Sequence, residues 1–175
     1  MMPLTNQRQS RLQPHRFAYA DPPYIGQAKK HYNSQEVNHL ALIQQMTRDY
    51  DGWALSLSST TLREILAMCP RTGELRVMVW VKPFCSFKPG VNPAYAWEPV
   101  IIWWKEWPSR PRYNKTVRDF ISTSITLKKG LSGAKPEAFC RWLFEVAGLV
   151  PTDEIHDLFP GTGAVTETWN KWAQK

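Results

Sequence analysis

Asp21-Pro22-Pro23-Tyr24 follows the short apolar run Phe17-Ala18-Tyr19-Ala20, which puts an acid, two prolines and an aromatic ring at the end of an expected strand. Each proline fixes its own φ at about −65° and drives the residue before it into extended backbone, so the Asp21 carboxylate and the Pro22 carbonyl point in set directions. Neither prolyl nitrogen can donate a competing hydrogen bond. What remains is two acceptors facing one donor-rich group, beside a ring, Tyr24, on which a planar base can stack. That chemistry suits a flat substrate carrying an amino group.

Two further segments carry spacing of the same kind. Glu154-Ile155-His156-Asp157-Leu158-Phe159-Pro160-Gly161-Thr162-Gly163 reads as a strand running into a glycine-containing turn, with helical composition from Ala164 to Trp172. Glycines are needed in such a turn because the chain must bend sharply and let its backbone approach a ligand that a Cβ would obstruct. Upstream, Gly133-Ala134-Lys135-Pro136-Glu137-Ala138-Phe139 opens an apolar-periodic helix through Trp142, Leu143 and Val146, with proline in its first turn.

Taken together and in this order, the three segments resemble the S-adenosylmethionine-dependent methyltransferases that modify exocyclic amino groups of adenine or cytosine in DNA, in the permuted class where the catalytic strand precedes the cofactor strand. The resemblance spans Phe17 to about Trp172, and its specific part is the three short segments. It implies a Rossmann-like α/β fold, a mostly parallel sheet with an antiparallel strand pair. It implies Asp21, Pro22, Pro23 and Tyr24 as the catalytic motif, which would hold a base flipped out of DNA. Lys135, Pro136, Phe139, Asp157, Phe159, Gly161, Thr162 and Gly163 are the implied contacts to S-adenosylmethionine, with Glu167 a further candidate near the turn, and no metal is required.

The family's cofactor strand is usually followed by a strand whose acidic end binds the ribose hydroxyls, and another beyond it. This sequence ends at Lys175, twelve residues after Gly163, so the last strands of the cofactor half are expected to be lacking. The implied pocket is then open on one side or completed by a partner, a homodimer being one means.

Composition agrees with a single domain over 1–175, with 1–15 flexible. At 175 residues and 43% hydrophobic the chain can bury a substantial core. Cys69, Cys85 and Cys140 are scattered and odd in number, which argues against a disulfide framework and fits a cytoplasmic protein. Neither a membrane span nor a secretory signal is read from the sequence. The net charge of +7 suits a polyanionic partner, here DNA. Lys105, Arg110, Arg112, Lys115 and Arg118 lie beside Trp107 and Tyr113 in a proline-interrupted stretch where cations can neutralise phosphates and rings can stack on bases. The bland reading of that stretch is a solvated loop. Lys29, Lys30 and His31, with Tyr32, form a polar segment just past the tetrapeptide, a candidate substrate-facing lid.

The elements that must position these residues alternate. Strands are expected at 17–20, 52–58, 75–81 (buried and valine-rich) and 96–104, the last returning antiparallel as part of a terminal pair, with extended backbone at 120–127. Helices are expected at 35–49 and at 60–69, the second opened by threonine capping. Loops 84–95 and 105–118 are expected to face substrate. Trp53, Trp80, Trp142 and Trp169 are assigned to core packing, and Glu98 is either a polar-face residue or a buried carboxylate near the site. The leading expectation from the resemblance is methyl transfer to the exocyclic amino group of adenine in DNA; cytosine N4 or RNA as the target, and a catalytically inactive DNA- or partner-binding module, are the alternatives. A compact gene of this kind would suit a phage or mobile element that protects DNA from restriction.

Overall fold

The computed structural model describes residues 13–26, 36–84, 87, 89–109, 116–125 and 134–174. Along the chain run β1 (Arg16–Ala20), α1 (His39–Asp49), β2 (Gly52–Ser56), a 3-10 turn (Ser59–Thr61), α2 (Leu62–Met68), β3 (Glu74–Val81), β4 (Trp97–Trp104), β5 (Phe120–Ser122), α3 (Glu137–Ala147), β6 (Glu154–Asp157) and α4 (Ala164–Ala173). The six strands form one sheet in the order β5-β3-β4-β2-β1-β6. Parallel pairing joins β6, β1 and β2, and β5 pairs parallel with β3. Strand β4 is antiparallel to both β2 and β3, so it alone runs against the other five. This is the expected Rossmann-like α/β fold, mostly parallel, with β6 at one edge of the sheet among the described residues.

Period-two alternation sends side chains to opposite faces of the sheet, and each face has its own core. Phe17, Tyr19, Ala54, Trp80, Val100, Ile102 and Trp104 pack against α3 and α4 through Phe139, Leu143, Phe144 and Trp169. Ala18, Ala20, Trp53, Leu55, Ile101 and Trp103 pack against α1 and α2 through Ile43, Met46 and Ile65. β1 and β2 are buried on both faces, as a parallel centre requires, apart from exposed Arg16 at the start of β1. Each large side chain fully removed from water there contributes about 1.5–3 kcal/mol. The four tryptophans assigned to packing are all buried, none more than 8% exposed.

Several expectations from the sequence shift. The antiparallel strand is internal, because β4 inserts between β2 and β3 and leaves the short β5 at the edge. β3 is half exposed, since β5 covers it only over Val79–Val81 and its earlier half lies open. α1 starts at His39, where Asn38 caps it by accepting from the Ala41 amide. Ser58, not a threonine, caps the next turn, and Thr60 and Thr61 lie in a 3-10 turn before α2 begins. The extended stretch at 120–127 is a three-residue strand, and 126–127 lie outside the described residues.

Pro99 sits inside β4 without costing the ladder a bond to β3. Val79, directly opposite, donates its amide outward to Asp119, and the Pro99 carbonyl accepts from Leu57 on the other side. Among the described residues no helix is long and apolar enough to cross a membrane.

Gly52 opens β2 directly opposite Trp104, and a Cβ there would run into the Trp104 indole ring. Gly52→Ala is therefore expected to lower stability by about 1–3 kcal/mol through overpacking. Urea unfolding measures it, and an unchanged midpoint would show that the ring yields.

Candidate active site

Every strand except β4 delivers its C-terminal end to one rim of the sheet, where the tetrapeptide, the glycine turn and Lys135 come together. β1 ends at Ala20 and the chain leaves as Asp21-Pro22-Pro23-Tyr24, with Pro22 buried and the other three half-buried. Its neighbour β6 ends at Asp157 beside Tyr19, and the Leu158 amide donates to the Tyr19 carbonyl. The turn that follows reverses through Gly161 and Gly163, both with positive φ, and Gly163 sits at the N-terminal end of α4. Asp157 closes the turn from inside by accepting from the Phe159 amide at 3.2 Å.

An open cleft lies between these pieces, lined by Tyr19, Asp21, Lys135, Asp157, Phe159, Pro160, Gly161, Thr162, Ala164 and Val165. Two segments far apart in sequence thus meet because β1 and β6 are parallel neighbours. Lys135 arrives from a third direction, just ahead of Pro136 at the start of α3.

The Lys135 ammonium is buried among acids. It contacts Glu98 Oε1 at 2.7 Å and Asp21 Oδ1 at 3.1 Å, and Glu98 Oε2 in turn contacts Lys82 Nζ at 2.8 Å. Trp80 presents its ring to both ammonium groups, 5.2 Å from Lys135 and 4.7 Å from Lys82, and Phe139 lies 5.6 Å from Lys135. Of the two readings open for Glu98, a buried carboxylate beside the site is the one found.

Burial and charge set the protonation of this group. Burial pushes the Asp21 carboxyl upward, Lys135 pulls it back and the Glu98 charge adds to the rise, leaving it above its ordinary value. An unperturbed carboxylate is therefore not the right description of Asp21. For Glu98 burial also acts upward, but Lys135 and Lys82 together outweigh it and hold the group below its usual range. Burial acts to lower Lys135, and the two acids override it so that the ammonium is retained. Asp157 is raised, first by burial, with the Phe159 amide opposing. Tyr19 is raised well above the usual phenol value by burial, and its hydroxyl shares a 2.9 Å hydrogen bond with Ser56.

The other candidates divide. Thr162 and Phe159 line the cleft; Pro136 and Phe139 are buried beside it but do not line it. Glu167 is exposed on the first turn of α4. Lys105 follows the C-terminal end of the reversed strand β4, so it lies at the opposite rim of the sheet from Asp21, its amide donating to the Asp51 carbonyl. Arg118 is exposed just before β5, its guanidinium 5.7 Å from the Phe120 ring. Lys29, Lys30, His31, Arg110, Arg112 and Lys115 lie outside the described residues. The residue given too little weight in the sequence is Glu98. An acid inside the apolar run Trp97–Trp104 was the available signal, since a buried carboxylate needs a paired cation.

No family model matches the chain, and no curated protein matches it. Solved structures do match its fold. The crystal structure of an M1.HpyAVI–SAM complex superposes with a TM-score of 0.63 at 17% identity, covering 92% of this chain and 79% of the other. A crystal structure of M1.HpyAVI gives 0.62 at 15%, covering 92% and 78%. TTHA0409 from Thermus thermophilus gives 0.52 at 13%, again covering 92% and 78%.

A carboxyl raised by the fold is stabilising below its unfolded value, about 3.8 for Asp21, and that contribution is lost as pH rises through the folded value. Asp21→Asn removes a charge that burial and Glu98 both disfavour, so at pH 7 the variant is expected to be at least as stable as the parent. Its advantage should shrink as pH falls from the raised folded value of Asp21 towards about 3.8, and be gone below that, where Asp21 is protonated in both states. Urea midpoints across pH measure this; a variant less stable than the parent at pH 7 would contradict the electrostatic account.

Proposed function

We propose that this protein transfers a methyl group from S-adenosylmethionine to the exocyclic amino group of adenine in DNA. The observation that carries the reading is a cleft in which Asp21, at the end of β1, faces the glycine turn at the end of β6. The likeness of the fold to a structure solved with SAM supports it.

The residues of the cleft fit that cofactor. Asp21 and Asp157 give the cleft two carboxyl groups suited to a cationic ligand, Phe159 offers a ring for a planar one, and the turn through Gly161 and Gly163 lets backbone come close. S-adenosylmethionine supplies, when bound, an electrophilic methyl group on a sulfonium centre.

The chain's own part is positioning and electrostatics. An aromatic amine is a poor nucleophile because its lone pair is delocalised into the ring. Asp21 and the Pro22 carbonyl accept from its two hydrogens and stabilise the positive charge that grows on the nitrogen. Tyr24 provides a face for the base. In a duplex that base must first leave the stack, at a cost of a few kcal/mol that backbone contacts offset.

Labelled methyl supplied on S-adenosylmethionine should appear in unmethylated duplex DNA as N6-methyladenine, identified by nucleoside mass. Asp21→Ala should lower the rate by at least about 10²-fold, the loss typical of removing an electrostatic stabiliser. Full activity in that variant would remove Asp21 from the mechanism. Label in cytosine or only in RNA would change the substrate, and no label from a folded parent that still binds DNA would favour a binding module.

A further inference from the structure

Glu98 does not line the cleft, yet it holds the shorter of the two contacts made by Lys135, at 2.7 Å against 3.1 Å for Asp21. It comes from β4, the strand that runs against the others, and it is also held by Lys82, just after β3. Four charges therefore alternate away from the cleft, the middle two buried and the outer two partly exposed: Asp21, Lys135, Glu98, Lys82. Their formal sum is zero.

We propose that Glu98 is a positioning residue for the Asp21 carboxylate, acting through Lys135. An ammonium paired with Asp21 alone would bind it tightly and compete with any donor entering the cleft. Divided between two carboxylates and seated against Trp80 and Phe139, Lys135 keeps Asp21 charged while its shorter contact goes to Glu98. Glu98 thereby leaves Asp21 able to accept from an incoming amino group. The catalytic meaning of this arrangement rests on the methyl-transfer reading; the arrangement itself does not.

Among the described residues, the charged and titratable groups that face Asp21 are Lys135 ahead of α3, Glu98 on β4, Lys82 after β3, Tyr19 on β1 and Asp157 on β6. Two substitutions move Asp21 in opposite directions. Glu98→Gln preserves shape, removes a negative charge near Asp21 and releases Lys135 to it, so the Asp21 midpoint should fall. Lys135→Met removes the cation and leaves two acids facing each other, so the midpoint should rise.

The measurement is a carbon-detected NMR titration of the Asp21 carboxyl in the full chain, parent and both variants, with methyl transfer followed over the same pH range. Midpoints displaced in opposite senses support the inference; midpoints unmoved, or displaced the same way, overturn it, because purely structural roles would not sort them by sign. In transfer, Lys135→Met should lose rate at neutral pH and regain it about tenfold per unit as pH is raised toward the displaced Asp21 midpoint. Glu98→Gln should lower kcat with little change in KM for S-adenosylmethionine. Should Lys135→Met not fold, Glu98→Gln alone decides: a lowered midpoint supports the proposal and an unmoved one overturns it. If the parent transfers no methyl group, the functional reading fails while the titration still decides the role of Glu98.

Discussion

A lysine ammonium held between two acids in a nearly dry interior is the constraint around which this site is arranged. Burying an unpaired charge costs several kcal/mol, so Lys135, Glu98 and Asp21 are tolerable only together. Their meeting requires β1 and β4 in one sheet with the start of α3 laid across them, all on the same face. Trp80 and Phe139, which bound the ammonium groups, belong to the same core that packs α3 and α4 onto that face. The cleft is in this sense the open end of the core.

The directions of the strands explain why the chemistry collects at one rim. Five strands point their C-terminal ends toward it, and β1 and β6, side by side and parallel, bring the tetrapeptide and the glycine turn into contact across a short gap. Reversal of β4 has two effects. It carries Glu98, near its beginning, to the active rim, and it carries Lys105, just past its end, to the far one.

What the sequence disclosed were features written locally. The proline pair dictates how Asp21 leaves β1, the glycines dictate the turn after β6, and proline before Glu137 marks the start of α3. Each is a backbone constraint visible within a few residues. The insertion of β4 between β2 and β3 depends on pairings across tens of residues, and nothing in the local pattern of Trp97–Trp104 distinguishes an internal strand from a terminal one. The Lys135–Glu98 contact joins residues 37 apart, and so it too escaped. The basic stretch was read as facing substrate because its composition carries no information about which end of the sheet it occupies, and Lys105 shows that composition was insufficient. Threonine capping was displaced by Ser58, two residues before Thr60, because a serine hydroxyl accepts from a helix-start amide as readily as a threonine does.

The central claim is that the cleft between Asp21 and the Asp157–Gly163 turn is where S-adenosylmethionine binds. A crystal structure of the protein with S-adenosylmethionine tests it most directly. The account predicts the cofactor in that cleft, in contact with the glycine turn and with its methyl group directed toward Asp21. A cofactor found elsewhere on the protein, or crystals of the folded protein that take up none at saturating concentration, would contradict it.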